Sequence, residues 1–242
     1  MIAASKLTIT QPRTNRWLRA VALLWLYAKR PFLLPRARKH VLESVRGLPL
    51  VVWPDVLNPV VFRSGEYFVE IIANLPRTQG RALDMGTGSG VCAIFAAKQG
   101  YRVTAVDINP EAVRCAKINC LLNSVESQVD VREGDLFDTV RGERFDLVMF
   151  NPPFFRGEPK NLFDMSWRSR DVMERFAAGL ADILADQGKA LILLSTDGDC
   201  GALTAALRAN GFSLAIAGQR NFGNEIMTVY AAKLHSPAGG HV

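Results

Sequence analysis

From about residue 81 onward, the chain alternates short runs rich in β-formers with stretches of helical periodicity. This alternation is typical of a mostly parallel sheet with helices on both faces. A last pair of β-rich runs predicts two closing antiparallel strands. The predicted strands are residues 82–85, 102–106, 128–132, 145–150, 190–195, 212–217 and 225–232. The sequence thus predicts an α/β fold with a sheet of seven strands.

The helical stretches between these runs have one apolar face. In one of them, apolar residues recur at three- and four-residue spacing, which predicts a helix that packs on the sheet. These residues are Val172, Met173, Phe176, Leu180, Ile183 and Leu184. We expect this helix to end within residues 186–188, and a further helix over residues 202–210 to end at Gly211.

The first 60 residues follow a different pattern, which is helical, basic and interrupted by prolines. The net charge is +6, and residues 1–50 contribute ten Lys or Arg against one acid, Glu43. Such a segment favours an anionic partner such as RNA, an acidic protein surface or lipid headgroups, although a solvated arm has the same composition. We therefore predict a basic helical N-terminal extension (1–60) for substrate recognition or as a lid, an α/β domain (61–235) and a flexible tail (236–242).

The apolar run over residues 20–28 covers about half of the roughly 20 residues that a membrane-spanning helix needs. We expect no integral membrane association. The four cysteines form no CxxC pair and only three histidines accompany them, so no metal site is expected. Scattered, unpaired cysteines are typical of the reducing cytoplasm, where we expect the protein to reside.

The predicted strand at residues 82–85 leads through Gly-Thr-Gly-Ser-Gly (86–90) into a helix. Three glycines in five residues allow a tight turn and the close approach of a ligand to the backbone. Asp84 adds a carboxylate just before the first glycine. The turn is a candidate ligand site.

Two further acids follow the next two strands. Asp107 ends the strand at residues 102–106, where a carboxylate can accept the hydroxyls of a ribose. Asp135 follows the third strand and is placed to accept the amino group of an adenine. Each acid alone is more often a solvated loop residue. Together, on successive strand ends of one sheet, they predict a nucleoside site.

A dinucleotide and S-adenosyl-L-methionine are the two cofactors that could use such a site. A dinucleotide favours the spacing GxGxxG with its pyrophosphate at the helix N-terminus. Here the third glycine comes one residue early, and Asp84 would repel an anion. S-adenosyl-L-methionine carries a positive ammonium and sulfonium, which a carboxylate at the turn attracts. The turn therefore favours S-adenosyl-L-methionine.

The tetrapeptide Asn151-Pro152-Pro153-Phe154 follows the fourth strand, at the edge where open α/β folds bind ligands. An amide or exocyclic amine has a delocalised lone pair, so it attacks a methyl group only when acceptors hold its N–H groups and let the nitrogen pyramidalise. The Asn151 side-chain oxygen and the Pro152 carbonyl are two such acceptors, and Phe154 would stack on the flat group. We expect Asn151, Pro152 and Phe154 to be catalytic, acting mainly by orientation.

These motifs together resemble those of class I S-adenosylmethionine-dependent methyltransferases, whose sheet is Rossmann-like. The tetrapeptide is similar to the (Asn/Asp)-Pro-Pro-(Tyr/Phe) motif of enzymes that methylate planar nitrogen: adenine N6, guanine N2 and glutamine N5. Within that group, the chain most resembles the HemK-type glutamine methyltransferases over roughly residues 59–233. Besides the tetrapeptide, the resemblance rests on residues 107–112, 145–148 and 170–176.

The resemblance implies a methyl acceptor and a cofactor site. The implied acceptor is a glutamine amide in a protein such as a translation release factor, held by Asn151 and Pro152. The cofactor site implied by the turn, the acids and their neighbours comprises Asp84, Gly86, Thr87, Gly88, Gly90, Asp107, Ile108, Asp135, Leu136 and Asn151.

Three features depart from the HemK pattern. Phe154 stands where glutamine methyltransferases usually have Tyr, and Phe is more familiar among guanine N2 enzymes of ribosomal RNA. Residues 63–66 replace a Pro and acids, so only Glu66 matches, and residues 166–170 replace a glycine-rich turn with arginines that favour an anionic substrate or form a solvated face. An RNA base and a small planar nitrogen compound therefore stay open as acceptors, and a non-catalytic scaffold would fail to bind S-adenosylmethionine.

Overall fold

The computed structural model describes residues 39–235. Most of the predicted helical extension, residues 1–38, and the predicted flexible tail, residues 236–242, lie outside this range. The strands are β1 (Val41–Val45), β2 (Leu48–Val52), β3 (Arg81–Met85), β4 (Arg102–Asp107), β5 (Val129–Glu133), β6 (Phe145–Phe150), β7 (Phe155–Arg156), β8 (Arg168–Ser169), β9 (Leu184–Ser195), β10 (Phe212–Asn221) and β11 (Ile226–Leu234). The helices are α1 (Ser64–Ala73), α2 (Val91–Lys98), α3 (Pro110–Leu122), α4 (Leu162–Met165), α5 (Val172–Ile183) and α6 (Cys200–Ala209).

Seven of these strands form the main sheet, in the order β10-β11-β9-β6-β3-β4-β5. Within this order, the five strands β9, β6, β3, β4 and β5 are parallel to one another. Strand β11 is antiparallel to both β9 and β10. The predicted α/β fold with a seven-stranded, mostly parallel, Rossmann-like sheet is confirmed. The closing antiparallel pair is also where the sequence placed it.

Helices cover both faces of this sheet. On one face α1, α2 and α3 pack through buried side chains such as Phe68 and Ile94. On the other face α5 and α6 pack through Phe176 and Leu203, which are likewise buried. Burial on both faces explains the continuous apolar runs at residues 147–150 of β6 and 190–194 of β9.

The strand order reverses beside β3. The chain runs outward from β3 to β4 and β5, and then returns to β6 on the other side of β3. In open α/β sheets, ligands bind at the carboxyl ends of the strands next to such a reversal. We call this side of the sheet the carboxyl edge. The glycine turn after β3, Asp107 at the end of β4 and Asn151 after β6 all lie there.

Helix α5 ends at Ile183, three residues before the predicted end, and β9 begins at once with Leu184. Leu184 pairs with Phe145 of β6 and is buried. Gly188 allows the start of β9 to approach β6, because a Cβ there would lie 2.7 Å from the Phe145 carbonyl oxygen. An apolar residue such as Leu184 fits the buried face of a helix as well as that of a strand, so the periodicity of the sequence did not locate this boundary.

The described part of the N-terminal extension contains a β-hairpin rather than a helix. Strands β1 and β2 are antiparallel, and Arg46 and Gly47 connect them with φ angles of 49° and 85°. Positive φ at both turn positions is the geometry of the tightest hairpin turns. The expectation of a helix is therefore wrong for residues 41–52. The Arg-Gly pair and the alternating apolar residues around it were the signal that the prolines obscured.

Asn119 of α3 connects this hairpin to the main domain through hydrogen bonds. Its Oδ1 accepts the Val51 N–H at 2.8 Å, and its Nδ2 donates to the Val51 carbonyl at 2.8 Å. The same Nδ2 donates to the carbonyl of Ser89 in the glycine turn at 2.9 Å. One fully buried amide thus connects β2, α3 and the turn.

We predict that Asn119→Ala lowers the free energy of unfolding by about 2–4 kcal/mol, because it leaves partly buried backbone groups without partners. Urea denaturation measures the change. Asn210→Ala is the matched control, since the Asn210 side chain makes one exposed bond to Ala206. Its effect should stay within about 0.5 kcal/mol. Equal effects of the two variants would contradict the role of Asn119.

Candidate active site

The glycine turn between β3 and α2 has the backbone conformation that only glycine adopts without strain. Gly86 and Gly88 have φ angles of 66° and 54°, and a Cβ at either position would meet nothing within 4 Å. The N–H groups of Gly86 and Thr87 both donate to the Val106 carbonyl, at 2.8 and 3.0 Å. The turn is thus tied to β4, with open space where a ligand can approach its backbone.

Gly90, the third glycine of the turn, serves packing. Its φ is 81°, and a Cβ there would lie 3.0 Å from the Ala116 Cβ of α3. It is absent from the lining of the adjacent cavity, which contains the other residues of the turn. Gly90 therefore brings α2 close to α3 and positions the turn, and its contact with the cofactor stays a prediction.

Asp84 is 3% exposed and stabilises the glycine turn through hydrogen bonds. Its Oδ2 accepts the Thr87 hydroxyl at 2.6 Å and the Ala93 N–H of α2 at 3.0 Å. Burial raises the pKa of Asp84 to about 6, and the two hydrogen bonds oppose this rise. Asp84 lines the cavity, where its binding of the cofactor stays a prediction, and its carboxylate also organises the glycine turn and the first turn of α2.

Asp107 connects β4 with the glycine turn. Its Oδ2 accepts the Gly88 N–H at 2.8 Å, and its Oδ1 accepts the Asn109 N–H at 2.9 Å. Burial raises the pKa of this carboxyl, and the backbone hydrogen bonds lower it. A carboxylate has about four acceptor positions, so these two bonds leave capacity for ribose hydroxyls. Ile108 next to it is exposed and lines the same cavity.

Asp135 also lines the cavity, but it has a partner that the sequence did not reveal. The Asp135 Oδ2 accepts a hydrogen bond from Arg175 Nη2 of α5 at 2.8 Å. Arg175 itself lines the cavity, as does Leu136. The two residues of the pair are 40 positions apart in the chain, so only the packing of α5 brings them together. An adenine amino group at Asp135 would share this carboxylate with Arg175.

Asn151 lies at the end of β6, next to the start of α1. Its Nδ2 lies 3.5 Å from the Ser64 hydroxyl oxygen, and its Oδ1 is buried without a hydrogen-bond partner. Asn151 and Pro153 line the cavity, whereas Pro152 is buried and Phe154 packs against the apolar core. A Cβ on Gly198 would lie 2.8 Å from the Phe154 Cβ, so the two backbones are close. Phe154 thus lies beside the cavity rather than in its wall.

The cavity at the carboxyl edge has a volume of about 370 Å³. One wall consists of the glycine turn, the ends of β4 and β6, and Leu57, Pro59 and Gly65 before and within α1. The other wall belongs to the segment 155–171, which contains the short parallel pair β7 and β8 and helix α4. The sequence pointed to residues 166–170 of this segment only through their arginines.

The arginines of segment 155–171 are paired with acids. Arg168 lies 3.5 Å from the Asp164 carboxylate, and Arg170 pairs with Glu158. Arg156 pairs with both Asp199 and Glu174. These pairs neutralise the arginines within the fold and connect the segment to α5 and to the start of α6. The predicted alternative of a charged, solvated face fits these contacts better than an unpaired anion site.

Residues 39–235 contain no cluster of three His, Cys, Asp or Glu with the geometry of a metal site. No helix in this part of the chain is both long and apolar enough to cross a bilayer. Cys92, Cys115 and Cys120 are buried and free, and Cys200 is half-buried and free. The four cysteines are therefore small packing residues.

A glycine turn after the central strand, acids at the next two strand ends and an asparagine after β6 converge on one cavity. This combination is typical of a class I methyltransferase fold, and the cavity lies at the strand reversal, where we expect the nucleoside of the cofactor to bind. The open space in front of Gly86 and Gly88 and the remaining acceptor positions of Asp107 fit S-adenosyl-L-methionine.

The model of the methyltransferase small domain family matches residues 65–208, and the chain belongs to that family. A protein of Methanocaldococcus jannaschii, named for protein N5-glutamine methyltransferase activity, is 32% identical over 163 residues, which cover 63% of this chain and 79% of the relative. The release factor glutamine methyltransferase of Koribacter versatilis is 39% identical over 117 residues, covering 46% of this chain and 40% of the relative.

The tRNA1(Val) (adenine(37)-N6)-methyltransferase of Porphyromonas gingivalis is 28% identical over 126 residues, covering 48% of this chain and 49% of that protein. The chain therefore spans less than half the length of two of these three relatives. The crystal structure of a ribosomal protein L11 methylase from Lactobacillus delbrueckii superposes with a TM-score of 0.55 at 22% identity, covering 74% of this chain and 81% of that chain. The protein is an S-adenosylmethionine-dependent methyltransferase with a HemK-like sequence.

We predict that Asp84→Asn stabilises the protein increasingly as the pH rises. Because the pKa of Asp84 is raised to about 6, the folded state binds the proton more tightly than the unfolded chain, and ionisation between about pH 4 and pH 6 lowers stability. Asparagine keeps an acceptor for Thr87 and does not ionise. Its advantage in urea denaturation should grow from near zero at about pH 4 to about 2 kcal/mol at about pH 7.5.

The control for this prediction is Asp186→Asn, because Asp186 is exposed. It should change the free energy of unfolding by less than about 0.5 kcal/mol at either pH. A constant difference between Asp84→Asn and the wild type across this range would show that burial of Asp84 has no ionisation cost.

Proposed function

We propose that the protein transfers the methyl group of S-adenosyl-L-methionine to the side-chain amide nitrogen of a glutamine in a protein. The observation that carries the proposal is the Asn151 Oδ1, a buried acceptor without a partner at the carboxyl edge. A buried polar atom without a partner costs about 1–3 kcal/mol, so its retention calls for a ligand that donates to it. The N–H group of a substrate amide is such a donor.

The amide nitrogen is a weak nucleophile because its lone pair is delocalised into the carbonyl. When bound, S-adenosyl-L-methionine supplies an electrophilic methyl on a cationic sulfur; the N–C bond forms as the S–C bond breaks, and the nitrogen then loses a proton to water. Asn151 Oδ1 and the Pro152 carbonyl accept the two amide N–H groups and hold the nitrogen for in-line attack. This arrangement needs no strong base, only fixed acceptors.

Phe154 supports this arrangement from the side of the cavity. Its carbonyl accepts the Asp199 N–H at 3.1 Å, which fixes the turn that carries Asn151 and Pro152. We propose that its half-buried ring forms part of the surface on which the planar acceptor group lies. Proline at positions 152 and 153 removes two N–H donors and stiffens the same turn.

The names of two relatives support a glutamine acceptor. The Methanocaldococcus jannaschii relative is named for protein N5-glutamine methylation and the Koribacter versatilis relative for release factor glutamine methylation. We propose a protein of the translation apparatus, such as a release factor, as the partner, and the cytoplasm as the place where the two meet.

An RNA base is the second candidate acceptor, and two observations favour it. Residues 1–50 are strongly basic, and the Porphyromonas gingivalis relative is named for methylation of tRNA adenine. Binding to RNA would weaken steeply with salt, because each Lys or Arg that contacts a phosphate releases counterions. Removal of residues 1–38 would then weaken RNA binding to all sequences alike.

We predict that Asn151→Ala abolishes methyl transfer, with a loss of at least about 100-fold in kcat, because the acceptor nitrogen is no longer held for attack. The Kd for S-adenosyl-L-methionine, measured by calorimetry, should change less than about threefold. Asp107→Ala provides the converse: it should weaken cofactor binding by about tenfold or more through loss of bonds at the turn. A wild-type rate for Asn151→Ala would remove Asn151 from the mechanism.

The acceptor is identified with methyl-labelled S-adenosyl-L-methionine and a methylation-depleted lysate, using Asn151→Ala as the blank. We expect label in protein that yields methylglutamine after digestion. Label in nuclease-sensitive material would instead support the RNA base, and label in the small-molecule filtrate would identify a small planar nitrogen compound. Either result would overturn the glutamine proposal while keeping the chemistry.

A further inference from the structure

The turn between β10 and β11 contains a second asparagine oxygen without a partner. Among residues 39–235, four buried side-chain polar atoms lack a hydrogen bond, and two of them are the amide oxygens of Asn151 and Asn224. Asn224 is 3% exposed, and its Nδ2 donates to Glu225 Oε1 at 3.3 Å. Its amide is therefore oriented by Glu225, and its oxygen is buried without a donor.

Asn224 lies at the same carboxyl edge as Asn151. Strand β9 separates β6 from β11, and Phe150 pairs with Ile192 while Ser195 pairs with Met227. Neighbouring strands are about 4.8 Å apart, so β6 and β11 are about 10 Å apart across the sheet, and Asn224 also lies at least three residues, or about 10 Å, further along the strands than Asn151. The two positions are therefore about 15–20 Å apart, a distance that an extended peptide covers with about five or six residues.

The start of α1 contacts both positions. Ser64 lies next to Asn151, and the guanidinium carbon of Arg63 lies 5.8 Å from the centre of the Phe222 ring in the β10–β11 turn. Arg63 has a φ of 47°, which is a strained conformation for a residue with a side chain. The start of α1 therefore lies next to both turns.

The surroundings of Asn224 are rich in acceptors. The Ser195 hydroxyl donates to Glu225 Oε2, which fixes this half-buried carboxyl group. Burial raises the pKa of Glu225, and the negative charge of Asp197 contributes to the rise. The positive charge of Arg63 opposes this rise, and both Glu225 oxygens already accept hydrogen bonds, from Ser195 and from Asn224. The Asn224 oxygen is therefore the acceptor of this turn that an N–H donor would satisfy.

We propose that the turn at residues 222–225 is a recognition site for the methyl acceptor, where Asn224 accepts a backbone N–H of the peptide that flanks the methylated glutamine. The inference rests on the proposed glutamine acceptor and adds the substrate class: an extended peptide read through its main chain about five or six residues from the glutamine. Asn151 holds the reacting amide and Asn224 sets the register of the peptide.

The probe is a synthetic peptide with one glutamine flanked by glycines, together with ester analogues that each replace one flanking N–H by oxygen. Isothermal calorimetry gives the peptide Kd for the wild type and for Asn224→Ala. We expect Asn224→Ala to weaken binding about 5- to 30-fold, the effect of one lost hydrogen bond to a buried group. One ester analogue should bind the wild type more weakly than the all-amide peptide does, by a similar factor. Its Kd for Asn224→Ala should equal its Kd for the wild type, because both changes remove the same hydrogen bond.

Asn221→Ala is the matched control in the same turn. Asn221 accepts the Gly223 N–H at 2.8 Å, so its loss tests whether a change of turn conformation alone weakens the peptide. We expect its peptide Kd within about threefold of the wild type, and an unchanged Kd for S-adenosyl-L-methionine in both variants. An equal loss for Asn221→Ala and Asn224→Ala would overturn direct recognition.

The outcomes separate this inference from the proposed function. If the wild type methylates the all-amide peptide and binds every ester analogue as tightly, this inference alone is overturned. This test uses only the wild type, so it holds even when Asn224→Ala fails to fold. Failure of the wild type to bind or methylate the peptide overturns both. Tight binding of a single-stranded RNA oligonucleotide that Asn224→Ala weakens would assign the turn to nucleic acid and overturn the peptide proposal.

Discussion

The glycine turn after β3 depends on two carboxylates that are buried beneath the ligand site. Asp84 binds the Thr87 hydroxyl and the Ala93 N–H, and Asp107 binds the N–H groups of Gly88 and Asn109. Removal of a carboxylate from water is unfavourable, and its hydrogen bonds only partly compensate, which is why burial raises both pKa values. This cost fits the role that we propose for these charges, which is to attract a cationic cofactor.

The rest of the molecule is arranged around that turn. Asn119 reaches from α3 to the Ser89 carbonyl and to β2, so the N-terminal hairpin stabilises the turn from outside. Gly90 lets α2 approach α3, and Asn109 joins the start of α3 to the Asp55 carbonyl at 2.9 Å. These contacts give the ligand site a rigid support, which catalysis by orientation requires.

The part of the edge where we propose that the acceptor binds is organised differently. At the glycine turn, Asp84 and Asp107 accept hydrogen bonds from the protein, whereas Asn151 and Asn224 each keep a buried oxygen without a partner. Arginines near this side are paired, as Arg156 is with Glu174 and Asp199. Unsatisfied acceptors beside neutralised cations favour a substrate with many N–H donors over one with many negative charges.

The order of strands and the local motifs could be predicted from the sequence because they depend on residues close together in the chain. Period-two and period-3.6 patterns located the seven strands and the sheet helices, and the spacing of Asp84, Asp107 and Asn151 placed them on one sheet edge. The patterns failed where a residue is apolar in either state, as at Leu184, and where prolines concealed a hairpin at residues 41–52.

The sequence by itself determined the class of fold, the glycine turn and the acids and asparagine that line the cavity, because each is fixed by local chemistry and by the topology of parallel strands. Tertiary structure decided the pairing of Asp135 with Arg175, the packing role of Gly90 and the wall formed by segment 155–171. These features depend on contacts between residues that are far apart in the chain, 26 positions for Gly90 and Ala116 and 40 positions for Asp135 and Arg175. No local pattern in the sequence encodes such contacts.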